Sequence, residues 1–274
     1  MMKYISPGSW FSLEYPDSWR EFEDTESSFL FYNPDVWTGN FRISAFRGPG
    51  SRYAKECMTS ELQQTKGAKL RRVGDWECVY SAETFQENGE HYTTHLWITG
   101  KGAVSVECSF TVKAGDDFSV GENIIRSLRL RGEKEPLWKE VIPVRVLEIS
   151  VINEAYEWAV SAIKKQLSKD FTAGKKDIES IQTVIDSGVF DKKQAAVWEN
   201  FGIVFGTILV NEIDGMEWVT VIDGKKEFPA LRYLDTDLMV YPTEIIREKL
   251  KENQPCLLKA EYDRIISAVE NILK

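Results

Sequence analysis

The chain has 274 residues, 43% hydrophobic and 28% charged, with 34 basic and 43 acidic side chains and a formal net charge of −9. That length favours two cores over one, since single cores stop growing near about 250 residues, and the composition is globular, outside the low-hydrophobicity range of disorder. Residues 1–132 hold 18 acidic and 15 basic side chains and residues 133–274 hold 25 and 19, so neither half has the basic excess that nucleic acid demands, and no nucleic-acid partner is expected.

The longest apolar stretch, residues 201–210, ends at Asn211. A span needs about 20 such residues, and no membrane partner is expected. The N-terminal MMKYISPGSWFSLEYP lacks the apolar core and small-residue cleavage site of a secretory signal, which predicts a cytoplasmic protein. Cys57, Cys78, Cys108 and Cys256 form no CxxC pair. Their scatter predicts free thiols, with neither a disulfide frame nor a zinc site.

Taken in order, residues 10–15, 28–32 and 41–46 are short strand-like runs separated by Pro16-Asp17, Asn33-Pro34-Asp35 and Gly39-Asn40, the punctuation of an antiparallel meander. Residues 53–65 place Ala54, Cys57, Met58 and Leu62 on a helical stripe. Strands follow over 76–85, 92–99 and 103–112, with Asn88-Gly89 and Gly100-Lys101-Gly102 as hairpin turns. In the last of them Val104, Val106, Cys108, Phe110 and Val112 alternate with Ser105, Glu107, Ser109 and Thr111, so one face is buried and one is wet. Ile124, Ile125 and Leu128 then mark a helix that closes the first domain, residues 1–131, and 131–138 read as a linker.

The second domain, residues 139–274, opens with a long helix over 148–169, followed by a shorter one from 177 to 186. A third helix is capped by Asp191 with Gln194 as its capping-box partner, and it carries Gly202 and Gly206 four apart in its most apolar part. Each glycine costs about 1 kcal/mol relative to alanine, which predicts close backbone approach as compensation. After a turn at Asp214-Gly215 come strands over 218–222, 227–233 and 238–241, with Pro229 assigning the second to an edge or bulge. Helices over 242–251 and 260–273 end the chain. The expected fold class is α+β: an antiparallel sheet with flanking helices, then a helix-rich α+β domain with a small antiparallel sheet.

The pattern WFSLEYPDSW, SSFLFYNP and FRISAF over residues 4–130, most specifically Tyr15-Pro16 with Trp19, resembles the Mog1/PsbP-like fold. Members of that family bind other proteins, including a small GTPase or photosystem subunits, so the resemblance implies an adaptor-like role without carrying over any single residue. Residues 148–272 resemble an uncharacterised bacterial domain family through Gly202, Gly206, Trp218, Val219 and Pro242. Its pattern has an acidic residue after the second glycine, where this chain has Thr207, so no carboxylate role is carried over. Domains of this kind are similar to those encoded beside bacterial toxin and immunity genes, which implies an immunity-like function.

Chemistry-bearing clusters are few. His91 and His95 share a strand, where four residues separate them by roughly 13 Å, too far to ligate one metal, and both are expected half-exposed. No GxSxG, Cys-His or phosphate-loop context occurs. The carboxylates Glu21, Glu23, Asp24 and Glu26, and Asp235 with Asp237, read as solvated, and the basic run Lys66, Lys69, Arg71 and Arg72 as a solvated helix exit. Trp37, in the loop NPDVWTGN, is the candidate interaction residue, because aromatic residues are enriched at interfaces. The sequence therefore points to a non-enzymatic, cofactor-free accessory or immunity-like protein that binds another protein. A small-ligand protein or weak enzyme with a cleft between the two domains is the alternative, and a purely oligomerising module the third reading.

Overall fold

A computed structural model describes residues 1–25, 27–132 and 135–274, with the side chains of residues 23–25 also outside the description. The chain divides into two units, Met1–Trp138 and Lys139–Lys274. Glu26 and residues 133 and 134 of the predicted linker lie outside the described residues, as do the side chains of Glu23 and Asp24.

The N-terminal unit contains β1 (Met2–Ile5), β2 (Phe11–Tyr15), β3 (Arg20–Thr25), β4 (Ser28–Tyr32), β5 (Asn40–Arg47), α1 (Tyr53–Gln64), β6 (Lys69–Val73), β7 (Trp76–Glu87), β8 (Glu90–Lys101), β9 (Val104–Lys113), α2 (Ser119–Ser127) and β10 (Arg129–Leu130). A seven-stranded sheet runs β3-β4-β5-β9-β8-β7-β6 and a three-stranded one runs β1-β2-β10, all pairs antiparallel. The alternation in β9 does what its pattern requires: Val106, Cys108, Phe110 and Val112 are buried while Glu107 is exposed. Their inner face meets Ile124, Ile125 and Leu128 of α2 and the aromatic rings of the small sheet, with Tyr4 against Phe29 and Phe31, and Tyr15 against Phe31. Asn88 and Gly89 both take positive φ, 49° and 83°, the conformation of the expected two-residue hairpin turn. The other expected turn is shorter than read, because β8 runs through Lys101, which pairs with Val104.

Four strands of this unit were not marked in the sequence. β1 and β10 are only four and two residues long, and β3 (REFEDT) and β6 (KLRRV) are charge-rich edges of the large sheet. The basic run is corrected accordingly: Lys69, Arg71 and Arg72 do not leave a helix but form an edge strand, where one side of the ladder is unpaired and polarity is tolerated.

The C-terminal unit contains β11 (Lys139–Pro143), α3 (Val146–Leu167), α4 (Ile178–Ser187), α5 (Ala195–Glu212), β12 (Met216–Asp223), β13 (Lys226–Tyr233), β14 (Met239–Val240), α6 (Pro242–Lys251) and α7 (Leu258–Ile272). Its antiparallel sheet runs β11-β12-β13-β14. α5 is apolar nearly all round and accordingly central, burying Trp198, Phe201, Val204, Phe205, Ile208 and Leu209. The glycines work as expected. A Cβ on Gly202 would lie 2.3 Å from the Pro242 carbonyl oxygen, and one on Gly206 would lie 2.6 Å from the Trp218 ring, so both exist to bring α6 and β12 against the α5 backbone. Pro229 pairs with Thr220 on β12, and β14 reaches only Leu231 and Arg232, which leaves the proline on an unpaired edge.

The start of α5 differs from the reading. Asp191 does not cap it: the Asp191 carboxylate accepts the Lys193 amide at 2.8 Å, Gln194 Oε1 accepts the Asp191 amide at 3.1 Å, and the helix begins at Ala195. The aspartate's short side chain reaches an amide two residues on and forms a local turn instead of a cap. Its carbonyl accepts the Trp198 indole N–H at 3.0 Å, which ties that turn to the core. No helix among the described residues is long and apolar enough to cross a membrane.

Candidate interaction surface

The strand register of the N-terminal sheet sorts its side chains by face. Trp97 and Cys108 pair and are buried on the inner face, so Tyr92, Thr94, Leu96 and Ile98 of β8 point outward, with Val79, Ser81, Glu83 and Phe85 of β7 and Ser44 and Phe46 of β5 beside them. α1 crosses only one end of this outer face, where it buries Ala54 and shelters Val79, Ile98 and Ser105. Beyond it, large apolar side chains stand exposed on this face or at its rim, among them Phe22 (49%), Trp37 (44%), Phe46 (43%), Leu70 (56%) and Phe85 (39%).

Trp37, from the β4–β5 loop, meets Tyr92 edge-on at 5.5 Å, and Tyr92 stacks on its cross-strand partner Phe85 at 5.8 Å. The three rings form a rigid aromatic ledge. Edge-to-face and offset stacks of this kind are worth about 0.5–1.5 kcal/mol beyond area burial, enough to order the rings but not to hide them. Trp37 was legible as a loop aromatic; Phe85 and Tyr92 were not, because only strand register shows that they are neighbours.

The other sequence candidates are dispersed. Asp235 is exposed and 3.2 Å from Arg232. His91 is exposed, but His95 is buried, against expectation: its Nδ1 lies 2.7 Å from the Tyr80 hydroxyl and its ring stacks on Phe118 at 3.9 Å. The Arg71 guanidinium covers both Tyr80 and Phe118, at 4.9 and 5.4 Å. Arg71 approaches Glu122 of α2 to 2.7 Å, close enough for an ion pair though not aligned as a linear hydrogen bond. Burial first, and Arg71 second, hold the imidazole below its usual pKa.

A base whose folded pKa is depressed contributes stability above its unfolded value of about 6.5 and loses it as pH falls toward the folded value. The melting temperature is expected to fall more steeply below about pH 6.5 in the wild type than in His95→Gln, which keeps a polar partner for Tyr80 without titrating. Parallel curves for the two proteins between pH 7.5 and 5.5 would contradict this.

Cys57 is half-buried, and Cys78, Cys108 and Cys256 are buried, all as free thiols. Burial pushes Cys78 and Cys256 up to about 11, and Cys108 well above the ordinary value, so all three are protonated and poorly nucleophilic at neutral pH. Among the described residues, no three His, Cys, Asp or Glu side chains are grouped so as to hold a metal ion.

In the C-terminal unit a buried ionic cluster escaped the sequence reading. Arg145, 1% exposed at the N-terminus of α3, reaches Glu148 through Nη2 at 2.5 Å and Nε at 2.8 Å, and Glu227 of β13 through Nη2 at 2.8 Å. Thr220 on β12 donates to Glu148 at 2.9 Å and accepts the Arg145 amide at 3.1 Å. Burial opposes the guanidinium charge, but the hydrogen bonds and charges of Glu148 and Glu227 outweigh it and raise the Arg145 pKa far above its usual range. These contacts run between side chains of α3 and its N-terminus and those of β12 and β13, so the cluster fastens helix to sheet.

No functionally curated protein matches the sequence. A Bacteroides thetaiotaomicron VPI-5482 protein of known crystal structure is 50% identical, over 97% of this chain and 98% of its own, with a TM-score of 0.92. The solution structure of cyanobacterial PsbP (CyanoP) from Synechocystis sp. PCC 6803 is similar at 12% identity over 47% of this chain and 91% of its own, TM-score 0.28. LpqN, involved in cell envelope biogenesis of Mycobacterium tuberculosis, is similar at 13% identity over 44% and 83%, TM-score 0.32.

Residues 177–262 match the model of a domain of unknown function, DUF3806. That span holds Gly202, Gly206, Trp218, Val219 and Pro242, the residues on which the second resemblance rested. Residues 1–153 match a domain of unknown function, DUF3805, whose model passes Trp138, takes in β11 and enters α3. Arg145 and Glu148 thus fall under one model, and Thr220 and Glu227 under the other. With more than half of its length matched, the chain belongs to the DUF3805 family and carries a DUF3806 domain behind it.

Proposed function

We propose that this protein is a non-catalytic accessory factor that binds another protein through the open outer face of its N-terminal sheet, with Trp37 as the anchor. The observation that carries this reading is the ledge of Trp37, Tyr92 and Phe85, two of whose rings are large, exposed and held in place by the third. Exposed apolar patches rimmed by polar residues characterise interaction sites, and rigid aromatics bind at little cost in side-chain entropy. The adaptor-like resemblance of the first domain supports the same reading, and an immunity-like role is its specific form. Four free thiols fit a reducing compartment, the cytoplasm.

The test is capture from extract of the native cell, with wild type and a Trp37→Ala/Phe85→Ala variant of unchanged melting temperature as baits. A partner held by the wild type is expected to be recovered at least about 30-fold less well by the double variant, which loses the anchor Trp37, a hot spot worth about 2 kcal/mol, together with Phe85 beside it. Equal recovery, or no partner enriched by the wild type, would end the proposal.

A further inference from the structure

We infer that the N-terminal unit also holds a pocket for a small organic anion, a molecule carrying a phosphate or carboxylate on an apolar body, at the mouth between its two sheets. The pocket is a cavity of about 580 Å³, within the range of small-molecule sites, and shares none of its lining with the aromatic ledge. Register explains its charge. Arg47 at the end of β5 and Lys101 at the end of β8 both pair with Val104 at the start of β9, so two cations flank one apolar residue on the inner face. Leu130 of β10 and Arg131 approach from the small sheet, completing an apolar floor of Val104 and Leu130 beneath three positive side chains.

Two of the cations are fixed before any ligand arrives. The Arg47 guanidinium lies 5.1 Å over the Trp10 ring, and Arg131 donates to the Ser9 carbonyl at 2.9 Å and the Glu135 carbonyl at 3.1 Å. None of the three forms an ion pair among the described residues, and Glu135 is the one acidic side chain among the described lining residues. In a chain with a net charge of −9, a concave site with an excess of unpaired cations is a local reversal of sign. Such a site attracts an anion before contact and holds it through charge-assisted hydrogen bonds. The amides of Gly50 and Ser51, both lining the pocket, make no hydrogen bond within the chain among the described residues and remain available as donors.

The experiment is an amide-resolved NMR titration of the full chain with phenyl phosphate, benzoate, inorganic phosphate and benzyl alcohol. Phenyl phosphate or benzoate is expected to give saturable shifts at residues 48–51 and 101–104, the tighter of the two identifying the anionic group, with inorganic phosphate weaker and benzyl alcohol inert. Arg47→Gln and Lys101→Gln should each weaken binding about tenfold, added salt should weaken it further, and Glu135→Gln should tighten it. These positions are at the surface, and melting curves confirm that each variant is folded. The inference is overturned if no anion binds saturably, if the Arg47→Gln/Lys101→Gln double variant binds as the wild type does, if Glu135→Gln weakens binding, or if benzyl alcohol or inorganic phosphate binds as tightly as the organic anions.

Discussion

Arg145→Ala is expected to lower the stability of the C-terminal unit by about 3–5 kcal/mol, because it leaves Glu148 buried without its cation. Glu148 is 4% exposed and takes two hydrogen bonds from Arg145 and one from Thr220; after truncation only Thr220 would remain. Removing the ions together is a different matter. Arg145→Met with Glu148→Leu and Glu227→Leu exchanges paired charges for apolar volume, which is commonly neutral or better for folding, and is expected to recover most of the loss. Urea denaturation of the three proteins checks this. A single-variant loss below about 1 kcal/mol, the value of a surface ion pair, would show that the cluster is solvated.

Gly202→Ala is expected to cost about 2–3 kcal/mol net, even though alanine is the better helix former by about 1 kcal/mol. The new methyl would lie 2.3 Å from the Pro242 carbonyl oxygen and 2.7 Å from Thr243 Cα. Both are backbone atoms at the start of α6, so the helix itself must move away. At Gly206 the obstacles are ring atoms, Trp218 Cη2 at 2.6 Å and Pro242 Cγ at 2.9 Å, and the Trp218 side chain can shift. Gly206→Ala should therefore be the milder change. Thermal melts of the two variants give the order, and a Gly202→Ala protein as stable as the wild type would disprove the close approach.

Elements were legible in the sequence where burial imposed a period. β9 alternates because one face is packed, and α5 is apolar all round because it lies at the centre of its unit. The glycine pair announced itself by its cost. Edges imposed nothing: β6 fully buries only Val73, Arg20 and Phe22 of β3 are exposed, and the charges of both strands read as loop or helix exit. The α5 boundary slipped by three residues, from Asp191 to Gln194 as the N-cap, because an aspartate followed by polar residues suits a local turn as well as a cap.

Sites were less legible than elements, since they depend on pairings between distant residues. Trp37 could be singled out alone, but its ledge exists only once Phe85 and Tyr92 are placed opposite each other. Arg145 and Glu227 are 82 residues apart, and nothing in the local sequence says that an arginine before a helix is buried. His95 looked like His91 by letter and strand; the covering Phe118, from beyond β9, separates their environments.

The basic edge strand β6 also limits how copies of the protein can associate. An unpaired ladder is a template on which a second molecule can add hydrogen bond by hydrogen bond, and fibres grow this way. Lys69, Arg71 and Arg72 lie along that ladder, so two copies docking there in antiparallel fashion would press like charge onto like charge. The opposite edge, β3, is broken in register between Glu23 and Thr25 and offers no straight rail for growth. Each molecule's large sheet thus ends where its own chain ends it, leaving lateral polymerisation disfavoured at both margins.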